Sequence, residues 1–303
     1  MALTSNPARP FGALLTAMVT PLTADGAVDL EAARALATWL VDHGNDGLVL
    51  NGTTGEAPTT HSPEKADLVA AVVDAVGDRA TVVAGAGSND TAHAARMAQQ
   101  AAEAGADGIL IVAPYYSRPS QEGIALHVEA VAEAGGKPVM LYDVPGRAGV
   151  RISAGVYERL AGHPLVVATK DATGDVAAAA GLAASTGLAW YSGDDALLLP
   201  FLAHGGAGLV SVAAHATPDA FATAIAAWDK GDTAAALAAF RTTLPAIAAL
   251  NGAGFQAVMA KAAVEALGIV TGRSVRLPLV EASDAEAAAV RAGLVAAGVL
   301  ASA

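Results

Sequence analysis

Short apolar runs alternate with longer alanine-rich stretches along most of the chain. A short apolar run bounded by turn residues is typical of a buried strand, whereas the alanine-rich stretches favour helices. Signals for helix starts lie between the runs, at Ser62-Pro63, at Asn89-Asp90 and at Ser153. The pattern predicts eight strands: Ala13–Thr20, Gly47–Asn51, Ala80–Gly85, Gly108–Ala113, Pro138–Tyr142, Val166–Lys170, Leu188–Ser192 and Ala207–Val212.

Eight strands that are each followed by a helix indicate a parallel α/β fold, and the count favours a closed (β/α)8 TIM barrel. The alternative is a doubly wound open sheet, which usually carries a glycine fingerprint after its first strand. Here the first strand continues into Thr20-Pro21-Leu22-Thr23, which contains no glycine. We therefore expect the barrel.

From about Thr217 onward the strand pattern stops and only helical stretches follow. The first of them would complete the barrel, and the others would form an appended helical layer. We expect a catalytic barrel domain at residues 1–231 and a helical domain at residues 232–303. The predicted helices are Pro218–Lys230, Asp232–Leu250, Phe255–Leu267 and Ser283–Ala297.

Composition narrows the classes of function. Hydrophobic residues make up 54% of the chain, and its formal net charge of -12 argues against a nucleic-acid partner, which would call for a basic face. The absence of cysteine excludes disulfides and thiolate chemistry and fits a reducing compartment. No uninterrupted apolar run reaches the length of a membrane span, and the run Phe11 to Val19 is interpreted as the first strand rather than a signal peptide. We expect a cytoplasmic protein that contacts no membrane.

Lys170 is the most informative single residue, because it ends the apolar run Leu165–Thr169. An ammonium group in an apolar wall is costly unless it is paired or neutral, and a neutral lysine is a good nucleophile for a carbonyl carbon. The structural alternative is a lysine at a strand end that reaches water. The other lysines, at positions 65, 137, 230 and 261, are predicted to lie in helices or turns that solvent reaches.

Other chemistry follows the predicted strands, at the edge where barrel enzymes place their active sites. After the second strand, the glycines and hydroxyls of Gly52-Thr53-Thr54-Gly55-Glu56 suit a small anion such as a carboxylate. Tyr115 and Tyr116 follow the fourth strand and Tyr142 ends the fifth, where a phenol can relay protons. Arg147, just beyond, could pair with a second carboxylate.

Each of these features alone also has an ordinary structural interpretation: a tight turn, surface aromatics or a solvated arginine. Together with Lys170 they favour carbonyl chemistry without a metal or cofactor. The seven histidines show no spacing typical of metal ligands, and Asp194-Asp195 is predicted to cap a helix rather than bind a cation.

At these same positions the chain resembles the dihydrodipicolinate synthase family, pyruvate-dependent class I aldolases that include N-acetylneuraminate lyase. The resemblance runs from about Phe11 to Leu300, with departures at Asp143, where an asparagine is frequent in the family, and at Thr169, where isoleucine or valine is usual. Its most specific motifs are Gly52–Glu56, Pro114–Gly123, Leu141–Arg147, Lys170–Gly174 and Ser192–Asp195.

The resemblance implies a lyase that condenses pyruvate with L-aspartate 4-semialdehyde to 4-hydroxy-tetrahydrodipicolinate, the first committed step of lysine and diaminopimelate biosynthesis, with no cofactor. Lys170 would form a Schiff base with pyruvate. Tyr142 would shuttle protons, connected through Thr53 to Tyr116, and Tyr116 would serve the site of a partner subunit. The implied substrate-binding residues are Thr54 for the pyruvate carboxylate, Arg147 for that of the aldehyde, and Gly193 and Val210 in the pyruvate pocket.

Two other functions remain as alternatives. One is a pyruvate-dependent aldolase or lyase acting on a 2-keto-3-deoxy sugar acid or on N-acetylneuraminate. Arg147 argues against it, because an arginine suits a short second carboxylate better than a polyhydroxyl chain. The other is a barrel that binds carboxylates without catalysis, which the complete set of Lys170, Tyr142 and Thr53 disfavours.

The resemblance also implies a homo-oligomer, most often a tetramer built from tight dimers, although some relatives stop at dimers. Members inhibited by lysine carry polar and acidic groups in a pocket near the subunit interface. Here the matching positions are Ala57, Pro58, Lys65 and His93. A cation at Lys65 and the lack of a carboxylate at His93 disfavour a lysine ligand, so feedback inhibition is predicted to be weak or absent.

Overall fold

Eight parallel strands form a closed barrel in which each strand pairs with its neighbours in the chain and β8 pairs with β1. A computed structural model describes residues 6–252 and 254–301. All eight predicted strands are confirmed, with small shifts at their ends. The strands are β1 Leu14–Ala17, β2 Gly47–Leu50, β3 Thr81–Gly85, β4 Gly108–Val112, β5 Val139–Asp143, β6 Val166–Asp171, β7 Ala189–Ser192 and β8 Gly208–Ser211.

Helices follow every strand, which confirms the (β/α)8 barrel. The predicted caps at Asp90 and Ser153 are the N-caps of α3 and α6, whereas α2 begins one residue early, with His61 as its N-cap. The helices are α1 Leu30–Asp42, α2 Ser62–Val76, α3 Thr91–Glu103, α4 Gln121–Gly135, α5 Pro145–Ala148, α6 Ala154–Ala161, α7 Val176–Thr186, α8 Leu198–Ala203, α9 Pro218–Asp229, α10 Thr233–Asn251, α11 Gln256–Ala266 and α12 Asp284–Ala296.

The apolar core has two layers because successive strand residues point to opposite faces. Side chains such as Leu15, Val49, Val83 and Met140 fill the barrel interior. A larger cluster lies between the strands and the surrounding helices. This alternation decides which strand-end residues face the interior and which face the helices.

The last three helices form the expected layer, in which α10 packs along α9 and α12, and α11 packs against α10 and α12. Among the described residues, α10 is long and apolar enough to cross a membrane by length and composition. It contains no uninterrupted apolar run of that length, because Arg241, Pro245 and its threonines break the run. Its packing against the neighbouring helices explains the apolar face that it buries, which includes Phe240, Ile247 and Leu250.

His215 connects the two strand ends at which the barrel closes. It is fully buried after β8, and its Nε2 accepts a hydrogen bond from the Val19 amide, just beyond β1, at 3.0 Å. Its Nδ1 lies 2.8 Å from the Val212 carbonyl oxygen, so Nδ1 carries the proton of a neutral ring. A second proton would break the contact with Val19.

We therefore expect acid to destabilise the protein through His215. Burial lowers the pKa of His215 to about 4, so stability is lost as the pH falls from about 6.5 through about 4. Between about pH 7.5 and pH 5, the wild type should lose roughly 2 kcal/mol more unfolding free energy than His215→Gln, measured by urea denaturation. Equal losses in the two proteins would contradict this role of His215.

Candidate active site

A cavity of about 480 Å³ opens at the carboxyl ends of the strands. This volume is within the range of small-molecule sites. Four of the eight predicted site residues line it: Thr53, Tyr116, Tyr142 and Arg147. The other four, Thr54, Lys170, Gly193 and Val210, are not among its lining residues.

Lys170 and Tyr142 lie side by side on the interior face of the barrel. They are paired in register on β6 and β5, and the Lys170 Nζ lies 4.5 Å from the centroid of the Tyr142 ring. Lys170 is 5% exposed. Burial lowers the pKa of Lys170 to about 8; Asp195 partly opposes this shift and Arg147 adds to it. At pH 7 about one tenth of the amine is therefore unprotonated, far more than the ordinary pKa of 10.5 would allow, as a nucleophile requires.

Gly193 lies beside the lysine, and Val210 belongs to the apolar cluster that fills the barrel interior. A Cβ atom at Gly193 would lie 3.2 Å from Lys170 Cε and 3.0 Å from the Asp171 carbonyl oxygen. A side chain at position 193 would therefore crowd the lysine. Val210 is fully buried in the barrel interior, on β8, where it pairs with Leu15.

The turn after β2 brings Thr53 to the cavity. Gly55 N donates to Gly52 O at 3.0 Å, and Glu56 N donates to Thr53 O at 3.2 Å. The Tyr142 phenol has a pKa raised by burial, which the cation of Arg147 and a hydrogen bond with Thr53 partly oppose. Thr54 is buried beside Thr53 in the same turn. The structure thus brings together the amine, the phenol and the Thr53 hydroxyl.

Tyr116 lies at the mouth of the cavity and is 89% exposed in the single chain. Its φ of 69° places a bulky residue in the left-handed region, where such residues are uncommon. Arg118, two residues later, also has a positive φ, of 46°. Such backbone strain is often found at functional sites.

Arg147 reaches the cavity from α5, where it contacts two residues that the sequence analysis did not single out. Its guanidinium carbon lies 4.9 Å from the centroid of the Phe255 ring, and its NH2 donates to Gln256 Oε1 at 3.1 Å. Both residues come from the start of α11, more than one hundred positions away in the chain. No local pattern around Arg147 signals them.

Lys261 corrects one prediction. The sequence predicts that solvent reaches this lysine, but it is 2% exposed and forms a buried ion pair with Glu56. The sequence does contain a signal for this burial, because α11 is apolar on every side around Lys261, and a helix that is apolar on every side is buried. A lysine in a buried helix requires a partner.

Asp195 corrects a second prediction, namely that the pair Asp194-Asp195 caps a helix. Asp194 caps the turn that follows β7, as predicted, but Asp195 does not: its carboxylate is buried below the site. Its Oδ2 accepts from Asn251 Nδ2 at 2.7 Å and from the Ala213 amide at 3.0 Å, and Ser211 donates to its Oδ1. Burial raises the pKa of Asp195, while these donors oppose the rise.

Asp143 and Asp171 are paired in register immediately behind Tyr142 and Lys170, on the face that packs against the helices. Asp171 accepts from Trp190 Nε1 at 2.9 Å, whereas Asp143 Oδ1 has no hydrogen-bond partner within the described part of the chain. Burial, together with the charge of Asp171, raises the pKa of Asp143 to about 6.

Replacing Asp143 by asparagine is therefore expected to stabilise the protein at neutral pH. A raised carboxyl pKa contributes stability at low pH that is lost as the pH rises through about 6, and an amide does not ionise. Asp143→Asn should gain about 1 to 3 kcal/mol over the wild type near pH 7.5, and less near pH 5, by urea denaturation. A gain independent of pH would show that Asp143 does not titrate in this range.

Comparisons with known proteins agree with this geometry. The model of the dihydrodipicolinate synthetase family matches residues 10–297. The chain is 51% identical over 291 residues to the 4-hydroxy-tetrahydrodipicolinate synthase of Bifidobacterium longum (strain NCC 2705), with 96% of each chain covered.

Two solved structures are similar to this chain in both fold and sequence. The dihydrodipicolinate synthase of Cyanidioschyzon merolae with lysine bound has a TM-score of 0.91 at 38% identity, covering 96% of this chain and 99% of that one. The chloride-inhibited enzyme of Acinetobacter baumannii complexed with pyruvate has a TM-score of 0.90 at 33% identity, again covering 96% and 99%.

Proposed function

The chain belongs to the dihydrodipicolinate synthetase family, and we propose that Lys170 is the nucleophile through which it condenses pyruvate with L-aspartate 4-semialdehyde. The chain is a lyase, and its product is 4-hydroxy-tetrahydrodipicolinate, at the start of lysine and diaminopimelate biosynthesis. The observation that carries the assignment of the nucleophile is the buried Lys170 amine, with its pKa lowered to about 8, beside the Tyr142 phenol.

The reaction begins when the neutral Lys170 amine attacks the C2 carbonyl carbon of pyruvate. Tyr142 supplies a proton to the departing hydroxyl, water leaves and an imine forms. Loss of a proton from C3 gives the enamine, whose C3 then forms a carbon–carbon bond with the aldehyde carbon of the second substrate, while the aldehyde oxygen takes up a proton and becomes a hydroxyl group. The substrate amino group attacks C2, which closes the ring and releases the Lys170 amine.

The remaining residues bind and orient the two substrates. Thr54 and the amides of its turn hold the pyruvate carboxylate, while Gly193 and Val210 shape the space around the imine. Arg147 pairs with the carboxylate of the aldehyde, as its position on the cavity wall allows. Thr53 passes protons between Tyr142 and Tyr116.

We further propose that the active form is at least a dimer and that it is cytoplasmic. An 89% exposed tyrosine at the cavity mouth is well placed to enter the site of a partner. Two such dimers would make a tetramer. In the same proposal, residues 1–231 form the catalytic barrel and residues 232–303 the helical domain beside it.

The nucleophile is tested by trapping. Borohydride reduction in the presence of pyruvate, followed by peptide mass mapping, should place the adduct on Lys170. The initial rate of adduct formation at limiting pyruvate should rise with pH and level off above about pH 8, because only the neutral Lys170 amine attacks pyruvate. An adduct on another lysine, or none at all, would refute the assignment.

Comparing L-aspartate 4-semialdehyde with sugar aldehydes as the second substrate tests the specificity for the aldehyde.

L-Lysine is expected to inhibit the enzyme weakly or not at all. Lys65 Nζ donates to the Ala57 carbonyl oxygen at 2.8 Å, so an ammonium group of the protein already occupies this region. A second cation would be repelled unless a carboxylate were present, and His93 provides none. Steady-state assays across a lysine titration measure this; half-inhibition well below millimolar concentration would show the prediction to be wrong.

A further inference from the structure

Helix α11 contacts both parts of the site that are assigned to substrate carboxylates. Residues Ala257 to Val264 are all buried, so the helix is fixed in the body of the protein. Phe255 and Gln256 stand at its start, and Lys261 follows about one and two-thirds turns after Phe255, roughly 9 Å along the axis. The two ends of this short segment meet different loops of the barrel.

Lys261 connects the helix to the turn after β2. Its Nζ donates to Glu56 Oε1 and, at 2.6 Å, to the Ser274 carbonyl oxygen. The other carboxylate oxygen of Glu56 accepts from the Arg276 amide at 2.9 Å. Glu56 is thus held by two donors from the C-terminal helical layer, and it directly follows Thr53, Thr54 and Gly55 in the chain.

This attachment constrains a strained turn. Glu56 has a φ of 57°, a left-handed conformation that a glutamate adopts only when its surroundings impose it. Both partners of the ion pair are almost fully buried, at 3% and 1% side-chain exposure. Removing the ammonium would leave a buried carboxylate without its counter-charge, and the turn would have to move to bring that carboxylate to water.

Phe255 connects the start of the helix to Arg147. The guanidinium lies over its ring, an arrangement in which a cation is attracted to the aromatic face. Arg147 itself is exposed, so a long side chain that would otherwise sample many rotamers is held against a flat surface. Gln256, which accepts from Arg147, is in turn held through Asn251 to the buried Asp195.

We propose that α11 positions both carboxylate-binding elements, Lys261 acting through Glu56 on the pyruvate turn and Phe255 acting on Arg147 for the second substrate. This proposal rests on the proposed function. Neither residue takes part in the chemical steps, and Phe255 also lines the cavity. Each places another group, so each change should alter the affinity for one substrate only.

Steady-state kinetics with each substrate varied tests this separation. Lys261→Met should raise the KM for pyruvate about tenfold or more and leave the KM for the aldehyde within about twofold, because only the turn moves. Phe255→Ala should do the opposite, raising the aldehyde KM by about fivefold to tenfold, in line with the loss of one cation–π contact. Phe255→Tyr, which keeps the ring, should restore the aldehyde KM.

Controls separate positioning from general destabilisation. Val264→Ala removes buried apolar atoms from the same helix but leaves both polar links in place, and it should lower Tm with both KM values unchanged. If Lys261→Met does not fold, the uncharged pair Glu56→Gln with Lys261→Met avoids the buried charge and should still raise the pyruvate KM. Parallel changes in both KM values, or a loss of Tm alone, would overturn the proposal.

Trapping distinguishes this proposal from the assignment of the nucleophile. In Lys261→Met, borohydride should still reduce the pyruvate adduct on Lys170, but half-maximal trapping should require about tenfold more pyruvate. In Phe255→Ala, trapping should match the wild type. If the wild-type protein itself gave no adduct on Lys170, the proposed function would fail, whatever the KM values of the variants.

Discussion

Replacing Lys170 by alanine should abolish turnover, with a loss in kcat on the order of 10⁴ or more. In the proposed mechanism every covalent step passes through its amine, and the described residues that line the cavity include no lysine that could form the imine instead. Lys170→Arg is the matched control: it keeps a cation at this position, and arginine does not lose its proton in proteins. Both variants should be equally inactive in a coupled assay, and residual activity of a few per cent in either would contradict the role.

The same substitution should leave the barrel folded, and an apolar replacement should stabilise it. Burial lowers the pKa of Lys170 from 10.5 to about 8, so near neutral pH the folded state holds an ammonium that water would solvate better. The unfavourable contribution is present below about pH 8 and disappears as the pH rises toward 10.5. Lys170→Met should therefore gain about 1 to 3 kcal/mol at neutral pH in urea denaturation.

Stability and activity are thus opposed at this residue. A lysine that gains stability by reaching water would keep its ordinary pKa and would rarely be neutral at physiological pH. An inactive variant that is also less stable than the wild type would argue instead that Lys170 has a structural role.

Much of the barrel could be predicted from the sequence because its signals are local. A parallel strand covered on both faces is a continuous apolar run, and all eight runs became strands. The strand ends then placed Lys170, Tyr142 and Thr53 at one edge, since the carboxyl ends of parallel strands meet there. Those three groups do meet in the structure.

The contacts made by α11 could not be predicted in the same way. Phe255 and Gln256 meet Arg147 only because the C-terminal helices fold back over the barrel mouth. No local sequence pattern predicts the direction in which these helices fold back. Asp195 shows a related difficulty: a pair of aspartates after a strand suggests a helix cap, and only the packing of α10 brings Asn251 to one of them. Burial of a charged side chain depends on its partner, which is distant in the chain.

Tyr116 should complete the active site of a partner subunit, and complementation between two inactive variants can show it. In a mixed dimer of Lys170→Ala with Tyr116→Ala, one site has lost both groups and the other has both. Random exchange of equal amounts makes half of the dimers mixed, so about one quarter of wild-type activity should return. The activity of the co-expressed mixture measures this directly, and mixed dimers purified through two different tags should retain about one half of wild-type activity.

A second pair of variants gives the matched control. Lys170 and Tyr142 come from adjacent strands of one chain, so a mixed dimer of Lys170→Ala with Tyr142→Phe contains no complete site and should remain inactive. If Tyr116 instead served its own subunit, the Tyr116→Ala pair would behave in the same way. Restored activity in the first mixture and none in the second would therefore assign the exposed tyrosine to the neighbouring site, and it would explain why a residue 89% exposed in one chain retains a strained backbone at the cavity mouth.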